Sequence, residues 1–147
     1  MGQGNLTLGR RQFVIAGVAS AGALTITWPA LAAPERLQQR FGIIYFFAQS
    51  CAACRQQGPI LRELVERAGF EIMAVSEDGG PSEDFPHYRV DTGQRARMGL
   101  NGKVTPTLAL FDTRTRTAVK IGDGVVGAAE ILRRITLIAR AMERERG

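Results

Sequence analysis

The sequence predicts an α/β domain built as a three-layer sandwich, a small mixed sheet with helices on both faces. Three observations predict it. The run Ile43-Ile44-Tyr45-Phe46-Phe47 has the β-branched and aromatic content of a buried strand. Ile60, Leu61, Leu64, Val65 and Ala68 then recur at helical spacing, and a second apolar run follows over residues 70–76. A strand, a helix and a strand in that order form a right-handed parallel unit. Further on, two short strands around a turn make an antiparallel hairpin, and an amphipathic helix ends the order. The 147 residues allow one domain, and 45% apolar with 22% charged residues describes a globular chain rather than a disordered one.

Residues 1–32 read as an export signal. Arg10-Arg11 is a basic start, Phe13 to Ile26 is apolar and uncharged, and Ala30-Leu31-Ala32 offers an A-x-A cleavage site. Gly9-Arg10-Arg11-Gln12-Phe13-Val14 is similar to a twin-arginine signal, with the ordinary secretory route as the alternative. A second reading stands beside cleavage. The uncharged span 12–34 is long enough for one membrane-crossing helix and, uncleaved, would anchor the domain with Arg10 and Arg11 inside. The Ala/Gly-rich centre and the A-x-A site favour cleavage. Either way the rest of the chain is expected outside the cytoplasm, in the periplasm. It divides into a lead-in over 33–40, the domain over 41–142 and a charged tail over 143–147.

Within the lead-in, Glu35 to Arg40 makes about one helical turn. Phe41 to Ala48 is the first strand. Cys54 to Ala68 is a helix ended by Gly69, and Pro59 inside it predicts a kink or a restart. Phe70 to Ser76 is the second strand, broken by Glu77-Asp78-Gly79-Gly80-Pro81. Residues 81–90 carry no periodic signal, and His87 among them reads as a solvated loop residue. Asp91 is an N-cap with Gln94 as its capping-box partner, opening a short helix that Gly99 ends. Val104-Thr105-Pro106-Thr107 leads into the strand Leu108 to Phe111, where an initial proline is tolerated. Thr117 to Ile121 returns. The last helix runs from Val125 or Gly127 to Glu143, with Ala128, Ile131, Leu132, Ile135, Ile138 and Met142 facing inward and Arg133, Arg134 and Arg140 facing solvent.

The candidate site lies where the first strand hands over to the first long helix. Cys51 and Cys54, the only two cysteines, sit there in a C-x-x-C arrangement. Free backbone N–H groups and the helix dipole favour negative charge at such a place, which lowers a thiol pKa. The spacing also lets the two sulfurs meet, so the pair reads as a redox dithiol. Zinc is the first alternative, but a structural site usually takes four ligands and this chain offers two cysteines and the distant His87. A purely structural disulfide would close a very small loop and stabilise little. Binding of Cu(I) by the two thiolates is a third alternative, and the scattered Met1, Met73, Met98 and Met142 do not support it. Of the 19 basic residues only Arg10 and Arg11 precede Ala33, which leaves 17 basic against 14 acidic residues in the domain and tail. They are dispersed and not interleaved with aromatics, so no nucleic-acid partner is expected.

This order of elements, with Cys51-Ala52-Ala53-Cys54, Pro59 and Thr105-Pro106, resembles the thioredoxin-like superfamily over residues 41–142. Gly58-Pro59-Ile60-Leu61, Gly69-Phe70-Glu71-Ile72, Val75-Ser76-Glu77-Asp78-Gly79, Val104-Thr105-Pro106-Thr107-Leu108 and Ile121-Gly122-Asp123-Gly124 resemble, more closely, TraF/TrbB-type proteins of F-like conjugative transfer systems. The resemblance implies a periplasmic thiol–disulfide oxidoreductase with Cys51 and Cys54 catalytic. It implies a cis Pro106 beside the dithiol, with Thr105 and Pro106 holding the substrate backbone. Isomerase or oxidase action is implied over reductase action. The implied partners are exported cysteine-containing proteins, components of pilus or secretion-system assembly and a membrane redox partner. No cofactor beyond the dithiol is implied. Two departures stand out. Tyr45 occupies the position where thioredoxin has a buried aspartate, and the short lead-in implies that the first strand and helix of thioredoxin are reduced or missing. The rival expectation is a non-enzymatic assembly factor with a vestigial dithiol.

Overall fold

The computed structural model describes residues 35–145 and Gly147. The export-signal reading of residues 1–32 lies outside them. Among the described residues the order is α1 (Glu35–Arg40), β1 (Phe41–Phe47), α2 (Ala52–Ala68), β2 (Ile72–Ser76), β3 (Tyr88–Val90), α3 (Gln94–Arg97), β4 (Thr107–Asp112), β5 (Thr117–Asp123) and α4 (Ala128–Arg144). The five strands form one sheet in the order β3-β2-β1-β4-β5. β1 is central, parallel to β2 and antiparallel to β4.

Burial on both faces explains the unbroken apolar character of β1. Its odd-numbered side chains, Phe41, Ile43, Tyr45 and Phe47, join Leu61 and Leu64 of α2 and Ile131 and Ile135 of α4 in the larger core. Its even-numbered Ile44 and Phe46 join Val75, Leu100 and Ala109 on the opposite face. Strand side chains alternate between faces, so β1 supplies both cores at once. The expected layering is therefore present.

Several elements differ in detail from the sequence reading. β2 begins at Ile72 rather than at residue 70, although Phe70 is buried. β3 falls in the stretch without a periodic signal. It has three residues, of which Arg89 and Val90 are exposed, so no alternation marks it. It fills the sheet edge beside β2, and among the described residues no strand precedes β1. Helix α2 runs from Ala52 to Ala68 with Pro59 inside it and does not restart there. Gly69 ends it at φ 70°, a left-handed conformation that glycine adopts without steric cost. The N-cap of α3 is Gly93 rather than Asp91, whose carboxylate, two residues earlier, accepts from the N–H groups of Gly93 and Gln94 at 3.0 and 2.8 Å. Gln94 reaches back to the N–H of Thr92, not to that of Asp91 as a capping box there requires. Arg134 is not simply solvent-facing, since it bonds Glu130 and donates to the Ile121 carbonyl at 3.0 Å.

The end of the sheet where β1 starts is locked by an ion pair. Asp112 is fully buried and accepts from Arg40 Nη2 at 2.6 Å and from the Arg114 N–H at 2.9 Å. The Arg40 side chain, 13% exposed, also lies over the Phe41 ring. The Arg40 hydrogen bond holds the Asp112 carboxyl far below the usual carboxylate range. Replacing Asp112 by Asn leaves Arg40 without its buried partner and is expected to cost about 3 kcal/mol in urea denaturation at pH 7. Because the folded-state pKa lies below the unfolded one, this stabilisation is complete above about pH 4 and is lost as the pH falls through the folded value. The difference between wild type and D112N should accordingly shrink in acid, and a difference independent of pH would contradict this account.

Candidate functional site

Three segments converge at the C-terminal end of β1. The first is the turn Ala48–Ser50 and the start of α2. Cys51 is the N-cap, with extended backbone at φ −87° and ψ 111°. Its sulfur accepts from the N–H of Cys54 at 3.1 Å, so one of the free donors at the helix end is satisfied by sulfur. No acidic residue lies in the first turn of α2. A thiolate at Cys51 is therefore favoured by the helix dipole with no competing carboxylate on that turn.

Cys51 and Cys54 are joined by a disulfide, with Cα atoms 5.2 Å apart. The two sulfurs are not equivalent. Cys51 is partly exposed, while Cys54 is only 5% exposed and belongs to the core. Attack from outside is thus directed to Cys51.

The second segment faces the first. The Thr105–Pro106 peptide bond is cis. The Thr105 carbonyl oxygen lies 3.4 Å from Cys51 Sγ, where a reduced Cys51 thiol would donate to it. Pro106 is buried, and its carbonyl accepts from the Gly124 N–H at 2.8 Å, which fastens the segment to the chain leaving β5. The structure thus brings Cys51, Cys54, Thr105 and Pro106 into one place. His87 is exposed on the stretch leading into β3 and is not part of it.

The third segment is the loop after β2, and its role was missed in the sequence. Asp78 accepts from the N–H groups of Gln49 at 3.1 Å and Gly80 at 3.0 Å, and from the Ser76 hydroxyl at 3.2 Å. The backbone donors, Gln49 foremost, pull its pKa down to about 2, so it is ionised throughout the useful pH range. The Glu77-Asp78-Gly79-Gly80 composition was a readable signal for such an aspartate-anchored turn, but it does not say which distant N–H groups are bonded.

Tyr45 is fully buried, and its hydroxyl donates to the Cys54 carbonyl at 3.0 Å. Burial, with a smaller effect from the charge of Asp84, raises its pKa well above that of an ordinary phenol. It acts as a fixed donor and takes no part in proton transfer near neutral pH. Beside it a cavity of about 500 Å³ is lined by Tyr45, Cys54, Arg55, Pro59, Glu83 and Asp84. On the inner side of α2, buried Gln57 donates to the Val126 carbonyl at 3.1 Å and accepts from the Val126 N–H at 2.7 Å. This double bond pair holds the start of α2 against the approach to α4. Removing the Asp78 carboxylate in D78A should release the turn before Cys51. The Gln49 amide is expected to exchange about tenfold faster with solvent, measured by NMR, while β1 amides keep their protection; unchanged exchange at Gln49 would deny Asp78 this role.

Comparison with known proteins agrees with this geometry. The pneumococcal exposed lipoprotein thioredoxin Etrx1 of Streptococcus pneumoniae superimposes with a TM-score of 0.53, at 21% identity, over 70% of this chain and 88% of that one. A Neisseria meningitidis protein solved in solution and described as a thioredoxin gives a TM-score of 0.51 at 18% identity, over 73% of this chain and 79% of that one. These likenesses show the thioredoxin-like fold. In sequence, the chain is 25% identical to protein TrbB of Escherichia coli strain K12 over 107 residues, which is 71% of this chain. The match spans 59% of TrbB, less than two thirds of that relative's length. The model of the TraF family, described as an F plasmid transfer operon protein, matches residues 32–136. That match takes in well over half of the sequence, and the chain belongs to the TraF family.

Proposed function

We propose that this protein is a periplasmic thiol–disulfide oxidoreductase that acts on exported cysteine-containing proteins, as an isomerase or an oxidant, during assembly of a conjugative pilus or secretion apparatus. The observation that carries the chemistry is the Cys51–Cys54 disulfide at the start of α2, with Cys51 accessible and Cys54 buried.

In the oxidising direction a substrate thiolate attacks Cys51 Sγ. The Cys51–Cys54 bond breaks, Cys54 leaves as a thiolate, and a substrate–Cys51 mixed disulfide forms. A second substrate thiolate then attacks the substrate sulfur of that bond and expels the Cys51 thiolate. The substrate gains a disulfide and loses two electrons, and the Cys51–Cys54 pair gains them. In isomerisation the reduced Cys51 attacks a wrong substrate disulfide and is later expelled by another substrate thiolate, with no net change in electrons. In either direction, Cys51 is stabilised as thiolate by the Cys54 N–H and the helix dipole. Thr105 and Pro106 offer the backbone beside which an extended substrate lies. No metal or organic cofactor is needed.

The periplasmic setting is supported by the reading of residues 1–32 as an export signal. The assembly role is supported by membership of the TraF family and by the match to TrbB. A membrane redox partner would return the pair to its working state.

Two variants and one potential test the proposal. Cys51→Ser should abolish exchange with a peptide disulfide, and Cys54→Ala should accumulate a mixed disulfide visible by mass spectrometry. Exchange that persists in Cys51→Ser would sink the assignment. Equilibration against glutathione should give a reduction potential between about −180 and −120 mV, the isomerase-to-oxidant range. A value near about −270 mV would instead make it a reductase, and a pair that does not exchange would favour a non-enzymatic assembly factor.

A further inference from the structure

On the sheet face opposite α2 and α4 lies a buried cation that the exchange chemistry does not use. Arg95, on the short helix α3, is 5% exposed. Its Nε donates to the Leu100 carbonyl at 3.1 Å, and Nη2 donates to Thr107 Oγ1 at 3.0 Å. Nη1 donates to the Val104 carbonyl at 3.0 Å and pairs with the Glu77 carboxylate. The guanidinium also faces the Phe46 ring, 5.4 Å from its centre.

The acceptors are not scattered. Leu100, Val104 and Thr107 belong to the segment that carries the cis Thr105–Pro106 bond, and they bracket it on both sides. Glu77 is tied in turn to the end of β1, since its N–H donates to the Phe47 carbonyl at 2.8 Å. A continuous polar chain therefore runs from the strand that delivers Cys51 through Glu77 and Arg95 to the segment that faces Cys51. Thr107 extends it, with its hydroxyl 2.6 Å from Asp123 Oδ1.

Apolar burial does not place this segment. Asn101, Gly102, Lys103 and Val104 are all exposed, Val104 at 52%. Between buried Leu100 and buried Pro106, the Val104 carbonyl is held by Arg95 Nη1 at 3.0 Å and by the Thr107 hydroxyl at 2.7 Å, and Thr107 is itself bonded to Arg95 Nη2. A planar, permanently charged fork suits the task because it meets several carbonyl, hydroxyl and carboxylate oxygens in one plane, and a lysine ammonium does not.

We propose that Arg95 is a positioning residue of the exchange site, whose buried guanidinium sets the place of Thr105 and Pro106 against Cys51 and so governs how an extended disulfide substrate docks. This rests on the exchange reading of Cys51 and Cys54. Arg95 touches neither sulfur, and its effect is felt by substrates long enough to lie along the Thr105–Pro106 backbone. A small reagent that needs only Cys51 is insensitive to it.

The test uses the full chain with Arg95→Lys, which keeps the charge beside Glu77 but loses the fork, and with Arg95→Met as the more severe change. The probes are a peptide bearing a cysteine–glutathione mixed disulfide, turned over by the reduced Cys51–Cys54 pair with glutathione as the reductant that becomes glutathione disulfide, and, for comparison, dithiothreitol acting on the Cys51–Cys54 disulfide. Arg95→Lys is expected to react with dithiothreitol at the wild-type rate and to lose about tenfold to a hundredfold in kcat/KM with the peptide, with KM rising. Equal losses with both reagents, or no loss with the peptide, overturn the proposal. A second readout is independent of activity. The Gly124 amide, bonded to the Pro106 carbonyl, should exchange faster with solvent in Arg95→Lys while the β1 amides do not change. If the wild type fails to exchange with the peptide, the functional reading has failed, and Gly124 protection then decides alone whether Arg95 positions the segment. Unchanged protection overturns that as well.

Discussion

The structure depends on the double-sided burial of β1. A strand whose side chains are withdrawn from water on both faces needs a covering layer on each, and its backbone needs a hydrogen-bonded neighbour along each edge. β2 and β4 supply the edges, α2 and α4 cover one face, and α3 with the stretch to Leu100 covers the other. Chain direction then decides what meets at each end. The C-terminal end of β1, the loop after β2 and the segment before β4 all emerge on one side of the sheet. Cys51, Asp78 and Thr105 are thus neighbours because of where their strands begin and end, although Cys51 and Thr105 are 54 residues apart.

Buried polarity follows the same division. Among the described residues the buried polar or charged ones are Gln57, Ser76, Arg95, Thr107 and Asp112. Asp112 sits at the far end, where Arg40 neutralises it. The other four flank the dithiol: Gln57 braces α2 against Val126, Ser76 fixes Asp78 and Gly80, and Arg95 with Thr107 fixes the cis-proline segment. Among the described residues no buried side-chain polar atom lacks a partner. Apolar contact is non-directional and can settle a helix against a sheet. Holding two loops at a fixed separation takes directional bonds, and here they are concentrated where the separation matters.

This contrast explains how much was legible in the sequence. β1, α2 and α4 were readable because the apolar patterns of Ile43–Phe47, Ile60–Ala68 and Ile131–Ile138 come from burial, which leaves a period. The dithiol was readable because its two members are three residues apart and lie at a strand-to-helix junction. β3 was not, because a three-residue edge strand with Arg89 and Val90 exposed is held by backbone bonds that any sequence can make. Arg95 was not, because its meaning lies in carbonyls 5 and 9 residues away and in Glu77 on the loop after β2, and no spacing rule connects them. Asp78 stood in between: its turn was visible, its bonds to Gln49 and Ser50 were not.

Tyr45 shows how the same strand enters the chemistry. A carboxylate at this buried position could exchange a proton with Cys54. A phenol whose pKa is raised further by burial cannot do so near neutral pH. Its hydroxyl is already committed to the Cys54 carbonyl, so what Tyr45 contributes is geometry. It secures the backbone of the buried cysteine from below, as the Cys54 N–H secures the sulfur of the exposed one from the side. Cys54 is thus tied to the core by its carbonyl and to its partner by its amide. The partly exposed Cys51 and the buried Cys54 therefore owe their difference to the fold rather than to the sulfur atoms, and in the exchange proposed above that difference suits Cys51 to attack and Cys54 to resolve.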